Sequence, residues 1–385
     1  MRRVHMLAAL GAAASLALAG CGQAPPADTA ASPSADAGAT ASSDAGASAS
    51  SAPADAAADF KACMVSDSGG FDDQSFNQSG KEGMDAAKAD LGIETVEVES
   101  QADTDYATNV DNMVSQGCNL TIGVGFLLED AIEKAANDNP DSNFALVDSA
   151  FSDETFAPIQ IDNAKPILFN TAEASFLAGY LAAGMSESGT VATFGGLQIP
   201  SVAIFMDGFA DGIKKYNEDN SSDVKLLGWD KDKQEGAFSG DFENQSQGKT
   251  LTEQFIAQGA DIVMPVAGPV GLGAASAAAG ADGVRLIWVD SDGYETAVEY
   301  KDLMLTSVVK KIGEAVEGTI SDTLEGGFTN EPYVGTLEND GVSLAPFHDF
   351  DGDVSQELKD KIEEYKQQII SGDLKIETPN APTSR

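Results

Sequence analysis

The chain has 385 residues, with 62 Asp and Glu against 22 Lys and Arg and a formal net charge of −40. A chain this acidic repels phosphate backbones and anionic membrane faces, which excludes nucleic acid polymers as partners. Its only histidines are His5 and His348, no Gly-x-Ser-x-Gly elbow follows a strand and no His-Glu-x-x-His occurs, so the familiar hydrolase and metalloprotease chemistries lack their residues.

Arg2 and Arg3, an apolar run from Leu7 to Ala19 and the small residues before Cys21 make residues 1–20 a secretory signal peptide. The run is too short to remain as a membrane-spanning helix. Leu18-Ala19-Gly20-Cys21 resembles the lipobox of bacterial lipoproteins, which implies lipid on Cys21 as the sole anchor to the outer face of the cell membrane. Residues 22–59 carry no aromatic residue, Lys or Arg and consist almost wholly of Ala, Ser, Asp, Pro, Gly and Thr. They bury too little apolar surface to offset the entropy of ordering, so 21–59 reads as an acylated, disordered tether.

From Lys61 short apolar runs alternate with helical patterns. Strands are predicted at Ala62–Val65, Thr95–Val98, Leu120–Val124 and Phe144–Val147, with a short fifth at Ile159–Ile161. Helices between them end at Gly92, at Gly117 and before Asn139-Pro140. The alternation restarts with a helix over Glu173–Met185, then strands at Thr190–Phe194, Lys225–Gly228, Ile262–Val266 and Leu286–Val289. Two such runs predict two doubly wound, Rossmann-like α/β lobes with parallel sheets. Cys63 and Cys118 fall at the starts of the first and third strands, neighbours in such a sheet. In an exported chain they are expected to form a disulfide.

Ligands of open α/β sheets bind beyond the carboxyl ends of the strands. Those positions hold Asp67-Ser-Gly-Gly-Phe-Asp-Asp73-Gln-Ser-Phe76-Asn77, Gly125-Phe126, Asp148-Ser149, Gly195-Gly196, Gly268, Asp290-Ser-Asp292 and Lys310, with Phe205 and Phe209 nearby. Asp73 is placed to cap the helix that follows it. Rings and carboxylates around one lysine suit a ligand that is flat, neutral and hydroxylated.

The first of these motifs, together with Ser175-Phe-Leu-Ala-Gly-Tyr-Leu-Ala-Ala, Phe205…Gly208-Phe209 and Val289-Asp-Ser-Asp, resembles the basic membrane protein family over about residues 60–320. Members are lipoprotein substrate-binding components of ABC transporters, and the best understood bind purine nucleosides. The resemblance implies a type I periplasmic-binding-protein fold with three hinge crossings, near Asp162-Asn163, Lys310-Lys311 and Phe328. One lobe would comprise 60–162 and 311–327, the other 163–310 and 328–375, with 376–385 as a tail. It implies a base between Phe76 and Phe205, read by Asp148 or Asn77, beside Phe126. Asp290, Gly268 and Lys310 would hold the ribose and Asp67 would support the cleft. The expected partners are a small-molecule ligand, a membrane permease and the membrane itself through the lipid, with a monomeric chain. Gly293 stands where many relatives have Gln, and Trp288 replaces a smaller residue, which places a departure beside the expected ribose site.

Other readings carry less. Gly271-Leu-Gly273-Ala-Ala-Ser276 imitates a dinucleotide fingerprint, but its small residues suit tight helix–sheet packing, and no cofactor is expected. Asp349-Phe-Asp351-Gly-Asp353 lacks the Gly and Glu of a calcium loop and reads as a turn before a helix over Gln356–Ile370 that Asp353 or Ser355 caps, so no metal is expected. Carboxylate-based glycoside hydrolysis is the one enzymatic route left, and the expectation is that the protein is not an enzyme. The same cleft would serve a ligand sensor or surface-interaction protein without a permease, or a binder of sugars or riboflavin.

Overall fold

A computed structural model describes residues 57–152 and 158–382. The signal peptide, Cys21 and the tether up to residue 56 lie outside the described residues; Ala57, placed in the tether by the sequence, is instead buried and accepts from Phe60 N at 3.3 Å, so the folded body starts before Phe60. The first sheet runs in the order β13-β5-β4-β3-β1-β2, with β1 Lys61–Ser66, β2 Glu94–Glu99, β3 Leu120–Val124, β4 Asn143–Val147, β5 Ala164–Phe169 and β13 Tyr333–Gly335. Every pairing in it is parallel. The second runs β14-β12-β11-β10-β6-β7, with β6 Thr190–Gly195, β7 Lys225–Leu227, β10 Ile262–Val266, β11 Arg285–Asp290, β12 Met304–Lys310 and β14 Val342–Leu344. Within it only β14 runs antiparallel to its neighbour, and β8 Trp229–Asp230 pairs with β9 Glu235–Gly236 outside both sheets.

Both sheets reverse their winding at one place, between β1 and β3 in the first and between β6 and β10 in the second. The two switch points are closed by equivalent bonds. The amide of Asp67 donates to Val124 O at 3.0 Å and that of Gly196 to Val266 O at 2.9 Å. Chain leaving the strands there has no room on the sheet, and a crevice forms in each lobe. Cys63 and Cys118 are bonded through their sulfurs, with Cα atoms 5.9 Å apart, where β1 and β3 lie side by side.

The chain crosses between sheets at Asn170 after β5, at Lys311 after β12, and over 336–341 between β13 and β14. Two of these lie later than the expected 162–163 and 328. Ile159–Ile161 is not a strand; Ile159 instead bonds back to Phe151 at 2.8 Å. The fifth strand begins at Ala164, and its Lys165-Pro166 breaks the apolar run that marks the other buried strands. β13 then adds to the edge of the first sheet beside β5, so that sheet keeps residues up to Gly335. The crossings are tied together: Asn170 N donates to Gly335 O at 2.8 Å and Lys311 N to Gly341 O at 2.9 Å.

The small residues of the Phe-Leu-Ala-Gly helix have a packing cause. Helices Thr171–Met185 and Pro200–Asn220 approach so closely that a Cβ on Gly179 would lie 2.1 Å from Phe209 O, and one on Gly212 2.0 Å from Phe176 O. Gly273 of the dinucleotide look-alike is a packing residue too, its Cβ position 1.8 Å from Gln245 O. Ser355 caps the helix Gln356–Ile370, accepting from Leu358 N at 3.2 Å. The expected tail is pinned as far as it is described. Lys231 Nζ donates to Glu377 O at 2.6 Å, and Asn380 Nδ2 to the buried Asp207 at 2.9 Å. Gly179→Ala is expected to lower unfolding free energy by about 1–3 kcal/mol in urea titration, because the backbones must separate to admit one methyl. An unchanged midpoint would contradict that packing.

Candidate functional site

The first lobe offers a loop held by its own carboxylates. Asp73, almost wholly buried, accepts from the amides of Ser75 at 3.0 Å, Asn77 at 2.8 Å and Gln78 at 3.0 Å. It therefore caps the helix Phe76–Leu91 and fixes where Phe76 and Asn77 point. Asp67 takes a bond from Asn77 Nδ2 at 3.1 Å. Its other oxygen lies against Gly125, where φ is +118° and a Cβ would stand 1.9 Å from Oδ2. Only glycine fits that corner. Burial pushes the carboxyl of Asp67 well above its ordinary range, against the pull of the Asn77 bond. Asn77 Oδ1 is buried with no hydrogen-bond partner among the described residues.

Between the lobes lies one buried ammonium. Lys310, the last residue of β12, forms ion pairs with Asp148 at the end of β4 and with Asp290 Oδ1 at 3.2 Å. Asp148 belongs to the first lobe and Asp290 to the second. Both adopt left-handed backbone, φ +66° and +70°, which Asp tolerates better than most residues and which turns each carboxylate inward. Burial works against the lysine's charge, but the two carboxylates outweigh it and hold its pKa above the ordinary value. The Lys310 ammonium also stands 4.9 Å from the Phe76 ring centre, 5.0 Å from that of Phe205 and 5.9 Å from that of Phe169.

These groups line a cavity of about 50 Å³ between the two switch points. Asp67, Phe76, Asn77, Phe126, Asp148, Phe205, Gly268, Asp290 and Lys310 all line it, so the structure brings every expected ligand-site residue together. Phe126, Asp148, Ile199 and Ser201 continue into an outer groove of about 1280 Å³. Sequence reasoning missed Phe242, Val202, Ile199 and Pro269. Phe242 seats on Gly196, where a Cβ would meet its ring at 2.3 Å; the Gly195-Gly196 pair was its only signal. The expected departure at Trp288 and Gly293 is corrected. Neither lines the cavity: Trp288 is buried in the second-lobe core, and its indole covers Gly293, whose Cβ position is 2.5 Å from Trp288 Cγ.

Two parallel-sheet lobes with a polar, ring-lined cleft between their switch points define a two-lobed solute-binding protein. The chain belongs to the Bmp family, ABC transporter substrate-binding proteins of the PnrA-like type, which matches residues 60–378. It is a binding protein and not an enzyme. A protein of Lactococcus lactis named ABC transporter nucleoside-binding protein BmpA is 30% identical over 336 residues, covering 83% of this chain and 89% of its own. A Listeria innocua protein named CD4+ T-cell-stimulating antigen is 30% identical over 341 residues, with the same coverage. Among solved structures, an ABC transporter solute-binding protein of Aeropyrum pernix superposes with a TM-score of 0.73 at 26% identity, covering 83% of this chain and 94% of that one.

Asp73 yields a pH prediction. Burial raises its carboxyl to about 6, above the 3.8 of an exposed Asp, although three amide bonds pull it down. Between those values the folded state binds more protons than the unfolded one, so unfolding free energy falls as pH rises through the window. Urea titrations from about pH 4 to about pH 6.5 are expected to show a fall, with on the order of 3 kcal/mol from Asp73. A rise in stability over that window would contradict the account.

Proposed function

We propose that this protein is an extracytoplasmic lipoprotein, anchored through Cys21, that captures a purine nucleoside between its lobes and presents it to an ABC permease. One observation supports this most: four phenylalanine rings, one doubly paired lysine and four aspartates line one cavity from both lobes. Rings suit a flat base, and carboxylates accept from hydroxyls and ring N–H groups. Asn77 Oδ1 and the Asp290 carboxylate supply acceptors at different sides of the site. The name of the Lactococcus lactis relative agrees with that ligand class. Export also suits the Cys63–Cys118 bond, which the oxidising side of a membrane would preserve.

Small-molecule sites occupy roughly 300–1,000 Å³, far more than the about 50 Å³ of this cavity. Entry therefore needs the lobes to part and the Lys310 ammonium to withdraw from its place beside Phe76 and Phe205. Rotation about the three crossings would join the cavity to the outer groove, which already shares Phe126 and Asp148 with it.

A thermal-shift screen of residues 57–382 tests this reading. A purine nucleoside at about a hundred times its Kd should add about 2.7 kcal/mol. Phe76→Ala is expected to weaken binding roughly ten- to hundredfold by loss of stacking, and Asp290→Asn comparably. Stabilisation by sugars or riboflavin and by no nucleoside would keep the cleft and overturn the ligand.

A further inference from the structure

The seam between the lobes holds a second set of contacts that none of the cavity residues' expected roles uses. Gln74 of the first lobe has a left-handed backbone, φ +58°, that turns its carbonyl across the seam. Three donors of the second lobe converge on that one oxygen: Trp288 Nε1 at 3.1 Å, Ser291 Oγ at 3.1 Å and Thr296 Oγ1 at 2.8 Å. Next to it the Ser75 hydroxyl lies 3.0 Å from Val289 O and 3.1 Å from Asp290 Oδ2. Both sides are braced. Asp73 holds the amide of Ser75, and Gly271 and Gly293 leave room for the Trp288 indole, which their Cβ atoms would meet at 3.0 and 2.5 Å.

We infer that Gln74 O with Trp288, Ser291 and Thr296 is an interlobe clasp that holds the lobes closed independently of the ligand. Trp288, Ser291 and Thr296 are thus positioning residues for capture. Every group in the clasp belongs to the chain, so it can form before and after a ligand enters. A carbonyl has two lone pairs, so three donors over-supply it, and losing one leaves the clasp weakened but present. The clasp resists opening whatever the cavity contains. It therefore acts on release rate and on the closed population, and leaves the ranking of ligands to the cavity.

This rests on the proposed capture by closure, and its first test needs no ligand. Small-angle scattering of the ligand-free protein from residue 57 onward should give the radius of gyration of the closed structure. Trp288→Phe with Thr296→Val should raise it while the far-ultraviolet circular dichroism stays unchanged. Ser291→Ala with Thr296→Val, which leaves the buried indole in place, should act in the same direction. For any solute that binds, the release rate should rise roughly tenfold with the order of affinities kept. A wild type already as expanded as folded variants, or variants as compact as wild type, would overturn the clasp. If scattering behaves as expected and no nucleoside binds, the clasp stands and the nucleoside reading fails.

Discussion

A single buried ammonium organises the cleft. Lys310 brings together one carboxylate from each lobe and lies close to three phenylalanine rings, with only about 3% of its surface exposed. Removing such ions from water costs several kcal/mol each, and the pairing repays that only while all three groups stay together. The lysine therefore pulls Asp148 toward Asp290 and the first lobe toward the second. The same arrangement leaves its positive charge fully used. Any solute entering the cleft meets carboxylates whose only cation is already shared, and an anion finds no free partner there.

Much of this was legible in the sequence, because a doubly wound sheet puts functional residues at predictable places. Strands at Leu120–Val124 and Ile262–Val266 and the helix at Gln356–Ile370 lie where their periodicity places them. Residues at strand ends then converge without further information, since each sheet delivers its own to its carboxyl edge, Asp67, Phe126 and Asp148 from the first and Gly268, Asp290 and Lys310 from the second. The hinge was less legible. Lys165-Pro166 interrupts β5, and β13 is three residues long, so neither carries a periodic signal of its own. Phe242 was hidden for another reason: it reaches the cavity from a loop, and a loop has no period to read.

Trp288 and Gly293 show how a correct observation can be given the wrong cause. Both stand out near Asp290 in sequence, and proximity to the site suggested a change of ligand. In three dimensions Asp290 ends β11 with a left-handed backbone, φ +70°, and lines the cleft, while Trp288 packs into the second-lobe core and reaches the seam with its indole nitrogen. Gly293 is small because that indole lies on it. The pair bears on how the lobes meet, and neither residue lines the cavity.

Paired calorimetric titrations test the charge balance of the cavity directly. A purine nucleoside and its 5′-monophosphate would be titrated into the same protein at fixed ionic strength. The account predicts that the nucleoside binds and that the monophosphate binds at least roughly a hundredfold more weakly, because its anionic group faces carboxylates and an already paired lysine. A monophosphate that binds as tightly as the nucleoside, or more tightly, would contradict it.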